Sequence, residues 1–113
     1  MGDGWETKRR RGPGHDWTIV RLARRGTIER IELDTDHYKG NAPGRVMLEC
    51  ADASGGFDAA TVAWRPLVAE QAVEPHARHR FEDLDSGLAT HVRLNIYPDG
   101  GVARLRLFGR VAP

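Results

Sequence analysis

The sequence predicts an all-β sandwich or barrel. Thirteen glycines and six prolines interrupt its 113 residues, and short runs of β-branched, aromatic or alternating apolar and polar residues lie between them. Short strands separated by frequent turn signals are typical of sandwiches and barrels. The pattern offers no helical period of useful length, apart from one turn predicted near 69–75 (AEQAVEP).

The first two β-type runs are 16–23 (DWTIVRLA) and 27–35 (TIERIELDT), joined by 24–26 (RRG). Because the connection is short and ends in glycine, we expect the chain to reverse there. The two runs then either pair, with Ile19 opposite Ile31, or face each other across two sheets. In both arrangements their outer ends lie at the same end of the domain.

Five further runs follow in order. They are 45–52, 61–67, 77–84, 90–98 and 101–109. Pro66 places the second of these at a sheet edge or a strand end, because proline lacks the N–H that a central strand needs. We expect 77–84 to be extended, and the Asp-Gly within 98–101 predicts a hairpin turn.

The run 90–98 alternates most regularly. Its apolar positions, Val92, Leu94 and Ile96, predict a core face. The opposite face carries a polar stripe of His91, Arg93, Asn95 and Tyr97. This stripe is interpreted either as a pocket lining or as an ordinary solvent face. The tryptophans at 5, 17 and 64 are expected to pack on the core or sheet.

Length and composition favour one domain, 1–113, in which 1–14 forms a partly ordered arm. Seventeen Lys and Arg nearly balance sixteen Asp and Glu, so nucleic acid is not an expected partner. No apolar run approaches the roughly 18 residues of a membrane span, and no membrane association is expected. Cys50, the single cysteine, excludes an internal disulfide, predicts a buried inert thiol and favours a reducing cytoplasm.

One corner of the chain is unusually rich in chemically active side chains. The segment 34–44 (DTDHYKGNAPG) holds two acids, a histidine, a lysine and an asparagine. Its expected neighbour is His15–Asp16, at the outer end of the first run. Two such loops on one end are how sandwiches build sites. The alternative is structural: Asp and Asn side chains stabilise turns, and the histidines are solvated.

Three segments together closely resemble the allantoicase repeat. They are 2–22 (GDGWETKRRRGPGHDWTIVRL), 31–49 (IELDTDHYKGNAPGRVMLE) and 90–110 (THVRLNIYPDGGVARLRLFGR). The resemblance implies a jelly-roll β-sandwich related to galactose-binding modules. It also implies hydrolysis of allantoate, a small-molecule substrate, to ureidoglycolate and urea. Enzymes of this family carry two repeats in tandem, whereas this chain resembles one, and the second repeat more than the first.

A single repeat leaves two interpretations open. The chain is an allantoicase-type enzyme, for which we expect a homo-oligomer or pairing with a second repeat. Alternatively, it is a jelly-roll binding module or half-enzyme without turnover of its own.

The chemistry that the resemblance implies assigns candidate roles. An acid and a base are needed to move protons, a cationic group to bind the substrate carboxylate, and amides to hold the ureido groups. The catalytic candidates are His37, His15, Asp36 and Glu6, with Asp36 or Asp16 orienting an imidazole. The substrate-binding candidates are Lys39, Asn41, Arg10, Arg93, Asn95 and Tyr97. The arginine-rich run 8–11 (KRRR) is otherwise a solvated arm.

No cofactor is expected. The five histidines show no recognised metal spacing. A divalent ion held by His15, His37 and an acid remains the open alternative.

Overall fold

A computed structural model describes residues 5–6, 16–35, 44–74, 77–97, 101–102 and 104–112 of the chain. Every regular element among them is a β-strand. The strands are β1 (Trp5–Glu6), β2 (Asp16–Asp34), β3 (Arg45–Ala51), β4 (Arg65–Ala72), β5 (Arg78–Phe81), β6 (Leu88–Tyr97), β7 (Gly101–Val102) and β8 (Arg104–Val111). The described residues include no helix long and apolar enough to cross a bilayer.

The first two predicted runs form one strand, so of the two expected arrangements the direct pairing of Ile19 with Ile31 is wrong. Ile19 pairs with Arg93 of β6, whereas Ile31 pairs with Phe81 of β5 and Leu107 of β8. The chain does not turn at 24–26; instead it bulges. Arg21 pairs with His91, and the next paired positions are Gly26 and Ala89. The chain therefore advances five residues on β2 and two on β6, and the extra residues of β2 form a bulge.

The bulge lets β2 serve both halves of a curled antiparallel sheet. Its first part pairs with β6, which continues through β3 to the edge strand β4. Its second part lies between β5 and β8. Because one strand bends from the first half to the second, the two halves enclose a common core, which confirms the predicted all-β sandwich.

The core is aliphatic and comes from both halves. Leu48, Leu94 and Ile96 of the first half and Ile31 and Leu33 of the second are at most 1% exposed. Cys50 belongs to the same cluster, and its burial raises the pKa of the thiol. The inert thiol predicted from alternation is therefore in place.

The structure also tests the predictions made for single residues and short segments, and some of these are confirmed while others are wrong. Pro66 lies in the edge strand β4, and 78–81 is extended, as predicted. The helical turn near 69–75 is wrong, because positions 69–72 belong to β4. Trp17 is 55% exposed rather than packed in the core, whereas Trp64 is half-buried.

Candidate functional site

The described ends of four strands meet at one end of the sandwich, here called the loop end. Asp16, at the start of β2, pairs with Ile96 near the end of β6. The N–H of Gly44, just before β3, donates to the carbonyl of Tyr97 at 3.1 Å. Arg104, which starts β8, pairs with Asp34, at the end of β2. The start and the finish of β2 therefore lie at the same end, as predicted, although the strand bends between them rather than turning as a hairpin.

Thr35 fixes the chain as it leaves β2. Its side chain is fully buried, and its hydroxyl donates to the carbonyl of Glu74 at 2.6 Å and accepts from the N–H of Ala77 at 3.1 Å. The N–H of Val73 donates to the carbonyl of Gly44 at 3.1 Å. Thr35 and Gly44, the described residues on either side of 36–43, are thus tied to the same short stretch of chain.

Six of the predicted site residues lie outside the described residues. They are Arg10, His15, Asp36, His37, Lys39 and Asn41. For all of them except Arg10, the nearest described residue in sequence is Asp16, Thr35 or Gly44, and these three lie at the loop end. Their roles stay predictions.

The backbone of Glu6 lies in the short strand β1. In β1 it pairs with Gly101 of β7, four residues after Tyr97. Four residues span at most about 14 Å, so the backbone of Gly101 lies within that reach of Tyr97, and Glu6 lies about one strand spacing of roughly 5 Å further. The acid–base role assigned to Glu6 remains a prediction.

Arg93 and Asn95, on the polar face of β6, share one carboxylate. The Nε and Nη2 atoms of Arg93 lie 2.9 and 2.8 Å from Oε1 of Glu49, and the amide of Asn95 donates to the same oxygen at 2.9 Å. The guanidinium of Arg93 also stacks on the ring of Trp64, 4.5 Å from its centre. Asn95 is only 3% exposed, so the polar face of β6 is covered at this position.

Glu49 constrains what Arg93 can do for a ligand. A substrate carboxylate would have to share Arg93 with Glu49 or displace it, and displacement leaves a half-buried anion unpaired. Alternation in 45–52 marked Glu49 as polar but gave no sign that it faces Arg93. That contact follows from the pairing of β3 with β6, which sequence reasoning did not supply.

Tyr97 lies at the loop end of the same face. Its hydroxyl is 3.9 Å from the sulfur of Met47. Burial, and next the carboxylates of Glu70 and Glu49, raise the pKa of the phenol. Tyr97 is therefore a neutral hydrogen-bonding group near pH 7, which suits binding of a polar ligand better than proton abstraction.

The described residues contain no group of three His, Cys, Asp or Glu side chains placed to hold a metal ion. Both histidines of the proposed alternative metal site, His15 and His37, lie outside those residues.

The described strands define an all-β sandwich. Its architecture matches the C-terminal domain of a chitobiase from Bacteroides fragilis with a TM-score of 0.67. That match covers 90% of this chain and 68% of the other at 18% identity, which shows the fold alone.

The family model of the allantoicase repeat matches residues 1–112, and the chain belongs to that family. It is 54% identical over 118 residues to "Probable allantoicase 2" of Burkholderia pseudomallei strain K96243. The crystal structure of allantoicase from Saccharomyces cerevisiae is 38% identical, with a TM-score of 0.82 over 95% of this chain and 31% of that one. The alignment with the Burkholderia relative covers 99% of this chain but only 35% of the relative's length.

Proposed function

We propose that the chain is one repeat of an allantoicase-type hydrolase that converts allantoate to ureidoglycolate and urea in purine catabolism. The observation that carries this proposal is the family match over residues 1–112, which includes the segment 34–44 with its candidate site residues. The meeting of Asp16, Thr35 and Gly44 at the loop end supports it, because those residues flank the candidates.

The reaction breaks one carbon–nitrogen bond of allantoate. A base takes a proton from water, whose oxygen bonds to the central carbon of the substrate. An acid gives a proton to the departing nitrogen, which leaves as urea. We assign the base and the acid to His37 and His15, because histidine exchanges protons near neutral pH. Asp36 orients one imidazole, and Glu6 is the further carboxylate candidate.

The remaining candidates hold the substrate. Lys39 and Arg10 bind the carboxylate of allantoate, Lys39 through the charge of its ammonium and Arg10 through a guanidinium fork that matches the planar oxygens. Asn41 offers both a donor and an acceptor to a ureido group. Tyr97 borders the same end. Arg93 and Asn95 support the substrate site indirectly, because both side chains already donate hydrogen bonds to Glu49.

The direct test is urea release from allantoate by the purified 113-residue chain, with its mass verified. We expect urea in proportion to chain concentration, unchanged by a metal chelator because the proposed reaction uses no resident cofactor. Saturable allantoate binding without urea would instead identify a binding module, the second candidate, which is favoured by the coverage of only 35% of the relative's length.

We further propose that the chain works as a homo-oligomer in the cytoplasm. A repeat that pairs in tandem within a longer relative retains a surface suited to a second copy. Light scattering at micromolar concentration should give a mass of two chains or more, and the mass of one chain would contradict the pairing.

A further inference from the structure

The end of the sandwich opposite the loop end holds a cleft of about 580 Å³. It lies between the β2 bulge, positions 22–25, and the turn at 53–57, with His91 at its base. We call this region the bulge end. Its volume falls within the roughly 300–1,000 Å³ of small-molecule sites. The proposed hydrolysis uses none of its residues.

The cleft has an excess of positive charge. Arg21, Arg24 and Arg25 line it, and its described lining contains no carboxylate side chain. Arg25 is neutralised from outside by Asp52, whose two oxygens lie 3.0 and 3.1 Å from its Nε. Within the described part of the chain, neither Arg21 nor Arg24 forms an ion pair, so two guanidinium charges remain unbalanced.

The backbone that carries these arginines is fixed. The N–H of Ala112 donates to the carbonyl of Arg25 at 2.8 Å. Gly26 packs so closely on the carbonyl of Arg110 that no side chain fits there. The backbone that carries the arginines is fixed at this end before any ligand arrives, and this lowers the entropic cost of binding an anion.

The base of the cleft adds a flat surface and a polar ring. Phe57 stacks on His91 with ring centres 3.9 Å apart and planes 11° from parallel. The Thr90 hydroxyl lies 2.7 Å from Nδ1 of His91. The same hydroxyl lies 3.3 Å from the carbonyl of Ala51, a second acceptor for its one proton. His91 pairs with Arg21 across the β2–β6 ladder, which places the imidazole next to an arginine position.

We propose that this cleft is a binding site for a small oxyanion, a carboxylate or a phosphate, held by Arg21 and Arg24 above the stacked Phe57–His91 pair. Guanidinium groups bind both oxyanions through paired hydrogen bonds. The site is separate from the loop end, and the proposal stands whether or not the chain releases urea.

The test is an NMR titration of the 113-residue chain with inorganic phosphate and, separately, with succinate, at constant ionic strength. We expect saturable shifts of the amide signals of 21–25 and 53–57 and of the His91 ring with at least one ligand. The two arms distinguish a phosphate site from a carboxylate site. Affinity should fall as ionic strength is raised, because the contact is charge-based.

Substitutions of Arg21 and Arg24 test whether anion binding takes place in the cleft. Arg21→Gln and Arg24→Gln should each weaken binding by about tenfold, the consequence of losing one charge-assisted hydrogen bond. Arg80→Gln removes the same charge from another part of the sandwich and is the matched control, for which affinity should not change. Arg24→Lys separates charge from geometry, because lysine keeps the charge but loses the planar fork.

Two results would overturn the proposal. One is the absence of saturable shifts at the cleft with either ligand. The other is self-association of the chain that Arg24→Gln abolishes without any binding of small anions, which would make the cleft a contact for an acidic protein surface. Circular dichroism of each variant confirms folding, and Arg24→Gln serves alone if Arg21→Gln does not fold.

Discussion

The loop end and the bulge end are built by different means. At the loop end, Thr35 and Gly44 anchor the chain through neutral hydrogen bonds to backbone groups. At the bulge end, Arg21 and Arg24 line a cleft, and among the described residues the adjacent carboxylate of Asp52 is held by Arg25. The first arrangement fixes the residues that flank 36–43, and the second leaves positive charge around a cleft.

The difference teaches how each kind of site is encoded. The loop end depends on a contiguous segment, 34–44, whose composition is visible in the sequence. The bulge end depends on a register shift in β2 and on the turn at 53–57 lying beside His91. Sites of the second kind have no local signature, because distant segments supply their parts.

The largest expected effect separates the two ends by activity. His37→Ala should lower kcat for urea release by about 100-fold or more, the range for loss of a general acid or base. His91→Gln should leave kcat within about twofold, since the proposed reaction uses no group at the bulge end. Steady-state urea assays on both variants check this. An equal loss of kcat in the two variants would contradict the placement of the reaction at the loop end.

Two glycines sharpen the comparison in stability. A Cβ at Gly26 would collide with the carbonyl of Arg110, so Gly26→Ala should destabilise the fold by about 3 kcal/mol. A Cβ at Gly44 would lie 3.4 Å from the carbonyl of Tyr97, and Gly44→Ala should cost less than about 1 kcal/mol. Urea denaturation measures both. A Gly26→Ala variant as stable as the parent would mean that the bulge is not fixed there.

Two threonines offer a matched pair. Thr35→Val removes a fully buried hydroxyl and leaves the Glu74 carbonyl and the Ala77 N–H without it, at a cost of about 2 kcal/mol. Thr90→Val removes a half-buried hydroxyl that accepts from Ala53 at 2.8 Å, at a cost of about 1 kcal/mol. Thermal and urea unfolding should rank them in that order, and the reverse ranking would show that the loop end is the less tightly anchored.

The smallest expected effect is a pH dependence at the bulge end. Burial, and secondly the charge of Arg21, lower the pKa of His91. As pH falls below about 6.5, the imidazole of His91 is protonated in the unfolded chain before it is protonated in the folded chain. Protonation therefore favours unfolding, so His91 does not lower the stability of the fold above about pH 6.5 and lowers it below that pH. His91→Gln should remove this component. The stability difference between parent and variant, measured between about pH 7.5 and about pH 5.5, should then change with pH, and a constant difference would exclude His91.

Most of the fold was predicted from the alternation of apolar and polar residues along the strands. The apolar positions Val92, Leu94 and Ile96 are buried as a set, because side chains on a strand point alternately to its two faces. The bend in β2 could not be read from 24–26, where two arginines and a glycine resemble a turn. Of the two placements expected for Trp17, core or sheet surface, the core is wrong, because pairing with Asn95 puts it on the outer face of the sheet.

The amino-acid sequence by itself determined the all-β class, the core positions, the edge placement of Pro66 and the family of the chain. These follow from local period, backbone chemistry and motif, which need no knowledge of distant contacts. Only the tertiary structure decided that β2 is one bent strand, that Glu49 holds Arg93, and that Arg21 and Arg24 share a cleft with His91. Each of these depends on strand register, and register is fixed by packing between segments far apart in the chain.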